Sequence, residues 1–230
     1  AGASIEMPWE RNCRAILHGY LSGQAGASAM VDILTGEVNP SGRLSETYPI
    51  KYEDTPSFRN FPSTERNAEY REGIYVGYRY YDTSMVRVQY PFGFGLSYTE
   101  FSYSDLQVDE DGVTFTVAND GDCGGAEVTQ LYIGLPEAAI FRPYKELKGF
   151  LKAGERKKER IPFDDKTFSY WNCRTNKWET EGGNYLIMVG ACVADIRLSG
   201  RLERKGTTGE LPYDREQLPS YYSGLIQQVG

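Results

Sequence analysis

The chain has little histidine, few cysteines and no excess of basic charge, and each shortage argues against a class of function. Its 230 residues include one histidine and four cysteines, at positions 13, 123, 173 and 192. Without a CxxC pair or a second imidazole, a zinc site lacks its usual ligands. The net charge of −7 argues against nucleic-acid binding, because phosphate neutralisation needs a basic surface. We expect neither a metal nor another cofactor.

Long apolar runs are also missing. No stretch approaches the ~20 apolar residues of a membrane span, and residues 1–9 lack the basic cluster and apolar core of a signal peptide. The scattered cysteines favour free thiols in a reducing compartment, with a leaning toward the cytoplasm. A disulfide between Cys173 and Cys192 stays open. We expect no membrane partner.

Aromatic and alternating segments are what the sequence does contain. Aromatic residues make up 13% of the chain, and there are 18 tyrosines. Val113, Phe115 and Val117 alternate before an Asn-Asp-Gly turn, and a similar alternation recurs in "AEVTQLYIGLP", "RKKERIPF", "KTFSYWNCRTNKWETE", "GNYLIMVGAC" and "ADIRLSGRL". Six or seven short strands separated by turns predict an antiparallel β-sandwich over residues 101–205.

Residues 1–50 indicate a partial α/β segment. The stretch "RNCRAILHGYL" places Cys13, Ile16, Leu17 and Tyr20 at helical spacing, and "GASAMVDILTG" predicts a second helix that ends at Gly36. The stretch "ASIEMPW" predicts a short strand. Two helices and one strand cannot bury a two-sided sheet, so we expect the C-terminal segment of a larger α/β domain.

Residues 51–100 form a predicted connector, and residues 206–230 a tail or interdomain linker. The connector is polar and then aromatic, ending in "YPFGFGLSYTEF" at residues 90–101. Glycines fit a position where the backbone must turn, and large rings fit a covered surface. We therefore expect Phe92, Phe94 and Tyr98 to be buried between the sandwich and the segment before it.

Few residues are candidates for a site. Glu37 and Glu46 flank "NPSGRLSETYP", but nothing in their spacing shows that they meet at the ~5–9 Å a glycosidase requires. Arg79, in "EGIYVGYRYYD", could face a sugar together with its aromatic neighbours, although packing of these rings onto the fold explains them more simply. His18 has no serine or cysteine elbow nearby. We assign no catalytic, substrate-binding or metal-binding residue.

Aromatic residues in the predicted hairpin "KTFSYWNCRTNKWETE" are compatible with other functions. Trp171, Trp178 and Tyr170 could supply a row of exposed rings, and exposure of both tryptophans on one flat face would favour an autonomous carbohydrate- or protein-binding module. Cross-strand packing within a hairpin accounts for these rings equally well. A third alternative is an assembly module, because an incomplete α/β segment leaves apolar helix faces to be covered.

Several long motifs, in order, resemble the C-terminal half of glycoside hydrolase family 3, the β-glucosidase group. The first set is "MPW", "GQAGASAMVDILTGEVNPSGRLSETYP", "GIYVGYRYYD" and "YPFGFGLSYTEF". The second set, "GAEVTQLYI", "RPYKELKGF", "YWNCRTNKWETEGGNYLIMVG" and "DIRLSG", resembles that family's fibronectin type III-like module. Together they cover roughly residues 1–200, and they imply a mainly β fold in which this sandwich follows a partial α/β segment.

The resemblance also implies which groups lie outside this sequence. The family's nucleophile is a barrel aspartate, and its acid/base glutamate precedes the "MPW"-like segment, so no catalytic residue is carried over. The implied partners are a barrel domain and an α/β catalytic domain, which would act on β-linked glycosides. The implied role is to support those domains and to shape the outer end of the cleft. The continuing tail favours a permuted order in which the barrel follows.

Overall fold

The computed structural model describes residues 2–63, 66–68, 70–154 and 157–213, and it is mainly antiparallel β. Within these ranges, no helix has the length and apolar character that a bilayer crossing demands. Single 3-10 turns occur at Glu10–Asn12 and Tyr52–Asp54. The other elements are α1 (Gly26–Thr35), β1 (Tyr48–Pro49), α2 (Tyr78–Thr83), β2 (Val88–Tyr90), β3 (Phe101–Asp109), β4 (Gly112–Asn119), β5 (Glu127–Gly134), β6 (Glu146–Ala153), β7 (Lys157–Pro162), β8 (Ser169–Asn172), β9 (Lys177–Thr180), β10 (Gly183–Cys192) and β11 (Asp195–Arg204).

Two sheets form the predicted sandwich. One has the strand order β11-β10-β5-β6, and the other has the order β3-β4-β7, with neighbouring strands antiparallel. The alternation in β4 and β10 places every second side chain between the sheets, where it leaves water. The fully buried residues of these two strands are Val113, Phe115, Val117, Tyr185, Ile187 and Val189. The mainly β, fibronectin type III-like fold is confirmed.

Strand β5 is buried on both of its faces. Leu131 and Ile133 point into the sandwich core, whereas Gln130 and Tyr132 point away from it and are also buried. An antiparallel strand at a sandwich surface normally alternates between apolar and exposed residues. The near-continuous burial of β5 means that another part of the chain covers the outer face of the four-stranded sheet.

The second predicted helix forms at α1, and Gly36 ends it in the left-handed region at φ +83°. Its apolar residues are poorly covered, since Leu34 is 71% exposed and Val31 is also exposed. An amphipathic helix normally packs its apolar stripe against a core. The exposed apolar face of α1 is what we expect of a partial α/β segment, in which a helix has no sheet of its own to cover.

The first predicted helix is wrong. Residues 13–20, all of which the structure describes, contain no helix, and Ile16 and Leu17 are exposed. A short helix is marginal in water unless its apolar face packs, and no part of the chain that the structure describes covers Ile16 and Leu17. The predicted strand in "ASIEMPW" is also wrong, because residues 3–9 pair with no strand in the described chain.

Strand β6 and helix α2 were not predicted. Strand β6 lies at the edge of its sheet, and it carries lysines that interrupt its alternation, as edge strands often do. Helix α2 forms from the aromatic "YRYYDT", which has no clear helical signal. The open possibility of a Cys173–Cys192 disulfide is not realised, because all four cysteines are described and free, with Cys192 buried.

Stability should depend on the sandwich core far more than on its surface rings. Replacing the fully buried Phe115 with Ala should lower the free energy of unfolding by about 3–5 kcal/mol, which combines lost burial with a cavity. The matched control is Phe150→Ala in β6, where the ring is 68% exposed and the change should stay within about 0.5 kcal/mol. Urea unfolding measures both. Equal losses for the two variants would contradict this description of the core.

Candidate functional site: the seam

The outer face of the four-stranded sheet is covered by two segments, residues 39–49 and 75–98, and this contact region is called the seam. The two segments first join each other. The Leu44 amide donates to the Phe94 carbonyl at 2.8 Å, and the Gly93 amide donates to the Leu44 carbonyl at 2.8 Å. Beside this pair, β1 and β2 align Tyr48 opposite Tyr90. The end of the α/β segment and the end of the connector therefore form one unit.

A buried ion pair fastens this unit to the sandwich. The Arg43 guanidinium donates to Glu127 Oε1 at 2.8 Å, and each side chain is only 7% exposed. The same carboxylate oxygen accepts the Val128 amide at 3.0 Å. Removing two charges from water is costly, so such a pair persists only with good geometry and further hydrogen bonds. The pair joins the "NPSGR" loop to the start of β5.

A glycine allows the closest approach in the seam. Gly93 has φ +82°, a conformation that favours glycine, and a Cβ there would lie 2.2 Å from Gln130 Oε1, so the Gln130 side chain would have to move. The buried Gln130 amide donates to the Gly93 carbonyl at 3.3 Å and to the Ala191 carbonyl at 2.7 Å. The Tyr132 hydroxyl donates to Gln130 Oε1 at 2.6 Å. The buried Gln130 amide is thus satisfied by Gly93 of the covering segment, by Ala191 of β10 and by Tyr132 of its own strand.

Asn39 joins three parts of the chain at the edge of the seam. Its Oδ1 accepts the Ser97 hydroxyl at 2.9 Å and the Tyr98 amide at 2.8 Å, while its Nδ2 donates to the Gly124 carbonyl at 2.9 Å. The Tyr98 hydroxyl in turn donates to the Ile33 carbonyl near the end of α1, at 2.8 Å. The Asn39 side chain therefore joins the junction to the sandwich loop, and the Tyr98 side chain joins the junction to α1.

The prediction that the three junction rings are largely buried is wrong for Tyr98 and is met only in part by Phe92 and Phe94, which are both half-buried. The Phe92 ring packs against Tyr78, with the ring centroids 5.0 Å apart. The Phe94 ring packs against Tyr90, with the ring centroids 5.4 Å apart. The Tyr98 ring is 52% exposed. Because its hydroxyl and amide find partners at the surface, the ring lies along the surface and does not enter the core.

The tyrosines of the connector pack onto the sandwich. Tyr78 is buried, and its hydroxyl accepts the Leu147 amide of β6 at 2.8 Å. Burial raises the pKa of Tyr81 to about 12. Asp82 lies 2.9 Å from the Lys145 ammonium; burial raises the pKa of this carboxyl, and the lysine opposes that rise. These rings serve packing, as the simpler reading of "EGIYVGYRYYD" predicts.

A groove of about 550 Å³ opens beside the seam. Glu46, Glu72 and Arg79 line it together with Tyr78 and several hydroxyl side chains. The Arg79 Nε atom is buried and has no hydrogen-bond partner among the described residues. The Glu46 carboxylate accepts the Ser4 amide at 2.9 Å. The groove is open and has a mixed polar and apolar lining, and it can hold water or a small polar group.

The other candidates from the sequence lie apart. Glu37 is exposed and does not line the groove, so the structure does not bring it to Glu46 there. His18 is half-buried, with Nε2 2.7 Å from the Tyr48 hydroxyl, and burial lowers its pKa. His18 therefore anchors the N-terminal segment to β1.

The tryptophan hairpin is formed by β8 and β9, with Trp171 directly opposite Trp178. Directly opposed residues project to the same side of a sheet. Both rings reach water, at 48% and 50% exposure, and they meet edge to face with centroids 5.7 Å apart. Tyr170 belongs to the opposite face and is half-buried. The two tryptophans share an exposed face, but at 74° their rings are not coplanar.

The residues that fasten the seam were missed at the sequence level. Glu127 and Gln130 lie within a largely apolar strand, where a charged or amide side chain needs a buried partner, whereas Arg43 lies in a polar loop that gives no such signal. That signal shows that partners exist, but it does not say which segment supplies them. These residues meet only because residues 39–49 and 75–98 lie on β5, and the sequence does not indicate that arrangement.

Two family models match the chain. Residues 1–98 match the glycosyl hydrolase family 3 C-terminal domain, and residues 127–192 match the fibronectin type III-like domain. The first match contains Arg43, and the second contains Glu127 and Gln130. The ion pair and the glycine contact therefore lie between the two matched regions.

Known proteins resemble the chain over most of its length. It is 44% identical to thermostable β-glucosidase B of Acetivibrio thermocellus over 86% of this chain and 28% of that protein. It is 43% identical to an exo-α-(1→6)-L-arabinopyranosidase of Bifidobacterium longum, over 82% of this chain and 26% of that protein. The structure of a Bifidobacterium adolescentis GH3 β-glucosidase superposes with a TM-score of 0.83 at 41% identity, over 90% of this chain and 32% of that one. The chain thus spans about a quarter to a third of these relatives.

The buried ion pair should show strong coupling in a double-mutant cycle. Arg43→Met or Glu127→Met alone leaves a buried charge without its partner, which should cost about 3–5 kcal/mol in unfolding free energy. The double variant should cost clearly less than the sum, because no lone charge remains. Urea unfolding of the four proteins gives the coupling.

A surface pair provides the control for this cycle. Arg160 and Asp109 also lie 2.8 Å apart, but both side chains are well exposed, so Asp109→Ala should change stability little. If the Arg43 and Glu127 variants behaved like this surface variant, the seam would not depend on the buried pair.

Proposed function

Because the chain belongs to the C-terminal part of glycoside hydrolase family 3, we propose that it supports the catalytic domains of a β-glucosidase-like enzyme and carries no catalytic residue itself. The observation that carries this proposal is the seam. Its buried charges and amides are engaged in joining one part of the chain to another. Residues held in this way are suited to fixing the relative position of two domains.

An exposed apolar surface supports the same role. Val31 and Leu34 of α1 are exposed, as are Ile16, Leu17 and Leu21 in the segment before it. Several exposed apolar residues in one region of the chain are typical of a surface that another body covers. The proposed partners are the barrel domain and the remaining α/β catalytic domain of a longer protein. This chain would hold them together and form the outer end of the cleft.

The proposed reaction of the complete enzyme is retaining hydrolysis of β-linked glycosides. Two carboxyl groups ~5–5.5 Å apart perform that chemistry, and no metal ion is needed. The relatives include both a β-glucosidase and an arabinopyranosidase, so this portion is compatible with more than one sugar. The sugar and linkage would be chosen by residues of the other domains.

The domain limits are part of the proposal. Residues 1–50 would complete the α/β domain, residues 51–100 would connect, and residues 101–205 would form the sandwich, with a tail or linker from 206 to 230. The seam joins the first two parts by Leu44 and Gly93. The last seventeen residues of that tail lie outside the described residues.

The chain alone should not hydrolyse a chromogenic β-glucoside, whereas an intact family 3 β-glucosidase should do so under the same conditions. The matched control is a Glu46→Gln/Glu72→Gln double variant, because these two carboxylates line the groove. Turnover by the chain that is lost in the double variant would contradict the proposal and would assign catalysis to the groove.

The supporting role can be tested by measuring the activity of a related enzyme that lacks this portion. A family 3 β-glucosidase truncated before the portion that matches this chain should be inactive or unstable, because its apolar surface is uncovered. Co-expression with the chain should restore part of the activity, and the Glu127→Met variant should restore less. Full activity of the truncated enzyme by itself would argue against a supporting role.

A further inference from the structure

The outer face of the β8–β9 hairpin combines aromatic and hydroxyl groups. Trp171 lies opposite Trp178, and Ser169 lies opposite Thr180, so all four side chains project to one side of the hairpin. The two hydroxyl oxygens are 3.4 Å apart. The Lys166 ammonium lies 4.8 Å from the centroid of the Trp178 ring. Two rings, two hydroxyls and a cation therefore share one small surface.

The opposite face of the hairpin holds it in place. Asn172 is fully buried, and its Nδ2 donates to the Glu210 carbonyl at 2.7 Å. The buried Glu179 carboxylate accepts the hydroxyls of Thr175 and Thr207. These contacts fasten the hairpin to the segment after β11. The tryptophans are not needed for that attachment, and each leaves about half of its surface in water.

We propose that this face binds one pyranose ring of an oligosaccharide. A pyranose has an apolar C–H face that can lie on an aromatic ring and a rim of hydroxyls that needs donors and acceptors. Trp171 and Trp178 supply the rings, Lys166 supplies a donor, and the hydroxyl oxygens of Ser169 and Thr180 supply acceptors, since the Ser169 hydroxyl already donates to the Asp165 carbonyl at 3.0 Å. The 74° inclination prevents both rings from lying flat on one straight chain, so the site takes a single sugar unit.

A second copy of the chain suits this face less well. Pairing two such faces would bring two Lys166 ammonium groups together and would remove the hydroxyls from water. The net charge of −7 also opposes self-association. The sugar site lies in the sandwich, on residues that form no part of the seam or the groove, so it stands or fails independently of the supporting role.

The chain's three tryptophans allow a direct titration. Their indole N–H signals can be followed by ¹⁵N NMR while cellobiose, and in a second series cellotetraose, is added to the full chain. We expect saturable shifts of the Trp171 and Trp178 signals and no shift of Trp9, which is also exposed. Because one ring is bound, the two sugars should give dissociation constants within about threefold of each other.

Variants separate binding from folding. Trp171→Ala should weaken cellobiose binding by at least about tenfold, and Lys166→Ala, which leaves the hairpin pairing intact, by several-fold. Trp9→Ala and Phe150→Ala remove exposed rings elsewhere and should leave binding unchanged. The amide spectrum confirms that each variant is folded.

Three outcomes would overturn the proposal. One is the absence of saturable shifts at either tryptophan in the folded chain. Another is unchanged binding in both Trp171→Ala and Lys166→Ala. The third is a set of shifts that depend on protein concentration and disappear when the Trp171→Ala variant makes the chain monomeric. That result would show that a second copy of the chain, and not a sugar, occupies this face.

Discussion

The structure depends on one buried ion pair, between Arg43 at the end of the α/β segment and Glu127 at the start of β5. Both charges are almost completely removed from water at a separation of 2.8 Å. A lone buried charge is so unfavourable that each partner requires the other in place. The pair therefore fixes the position of the preceding loop on the sandwich, and it does so with more directional constraint than apolar packing provides.

The rest of the seam follows from that position. With the loop held on β5, the Leu44 and Gly93 backbones pair, and Gly93 can approach Gln130 closely enough for a hydrogen bond. Tyr78 and Phe92 then cover Tyr132, so the four-stranded sheet is buried on both sides. The same geometry accounts for the proposed role, because a segment that is held firmly on the sandwich can fix the position of one domain relative to another.

Much of the sandwich could be predicted from the sequence, because the alternation of β4 and β10 reflects a local, period-two constraint. The helix predicted at residues 13–20 fails for a non-local reason: helical spacing is realised only if the apolar face packs, and here it is exposed. Tyr98 could not be placed from its type, because its surface position depends on Asn39 and Ile33. The seam pairs are separated by 84 and 37 residues, so periodicity could not identify them. The family resemblance supplied the expected domains but none of these contacts.

Amide hydrogen exchange is the most direct test of the central claim that the seam joins both parts into one cooperative unit. The Leu44 and Gly93 amides should be protected nearly as well as that of Phe115 in the core, because all three open only with the whole unit. In Glu127→Gln, protection of Leu44 and Gly93 should fall while Phe115 keeps most of its protection. If Leu44 and Gly93 already exchange rapidly in the unmodified chain, or remain equally protected in Glu127→Gln, the ion pair does not hold the seam.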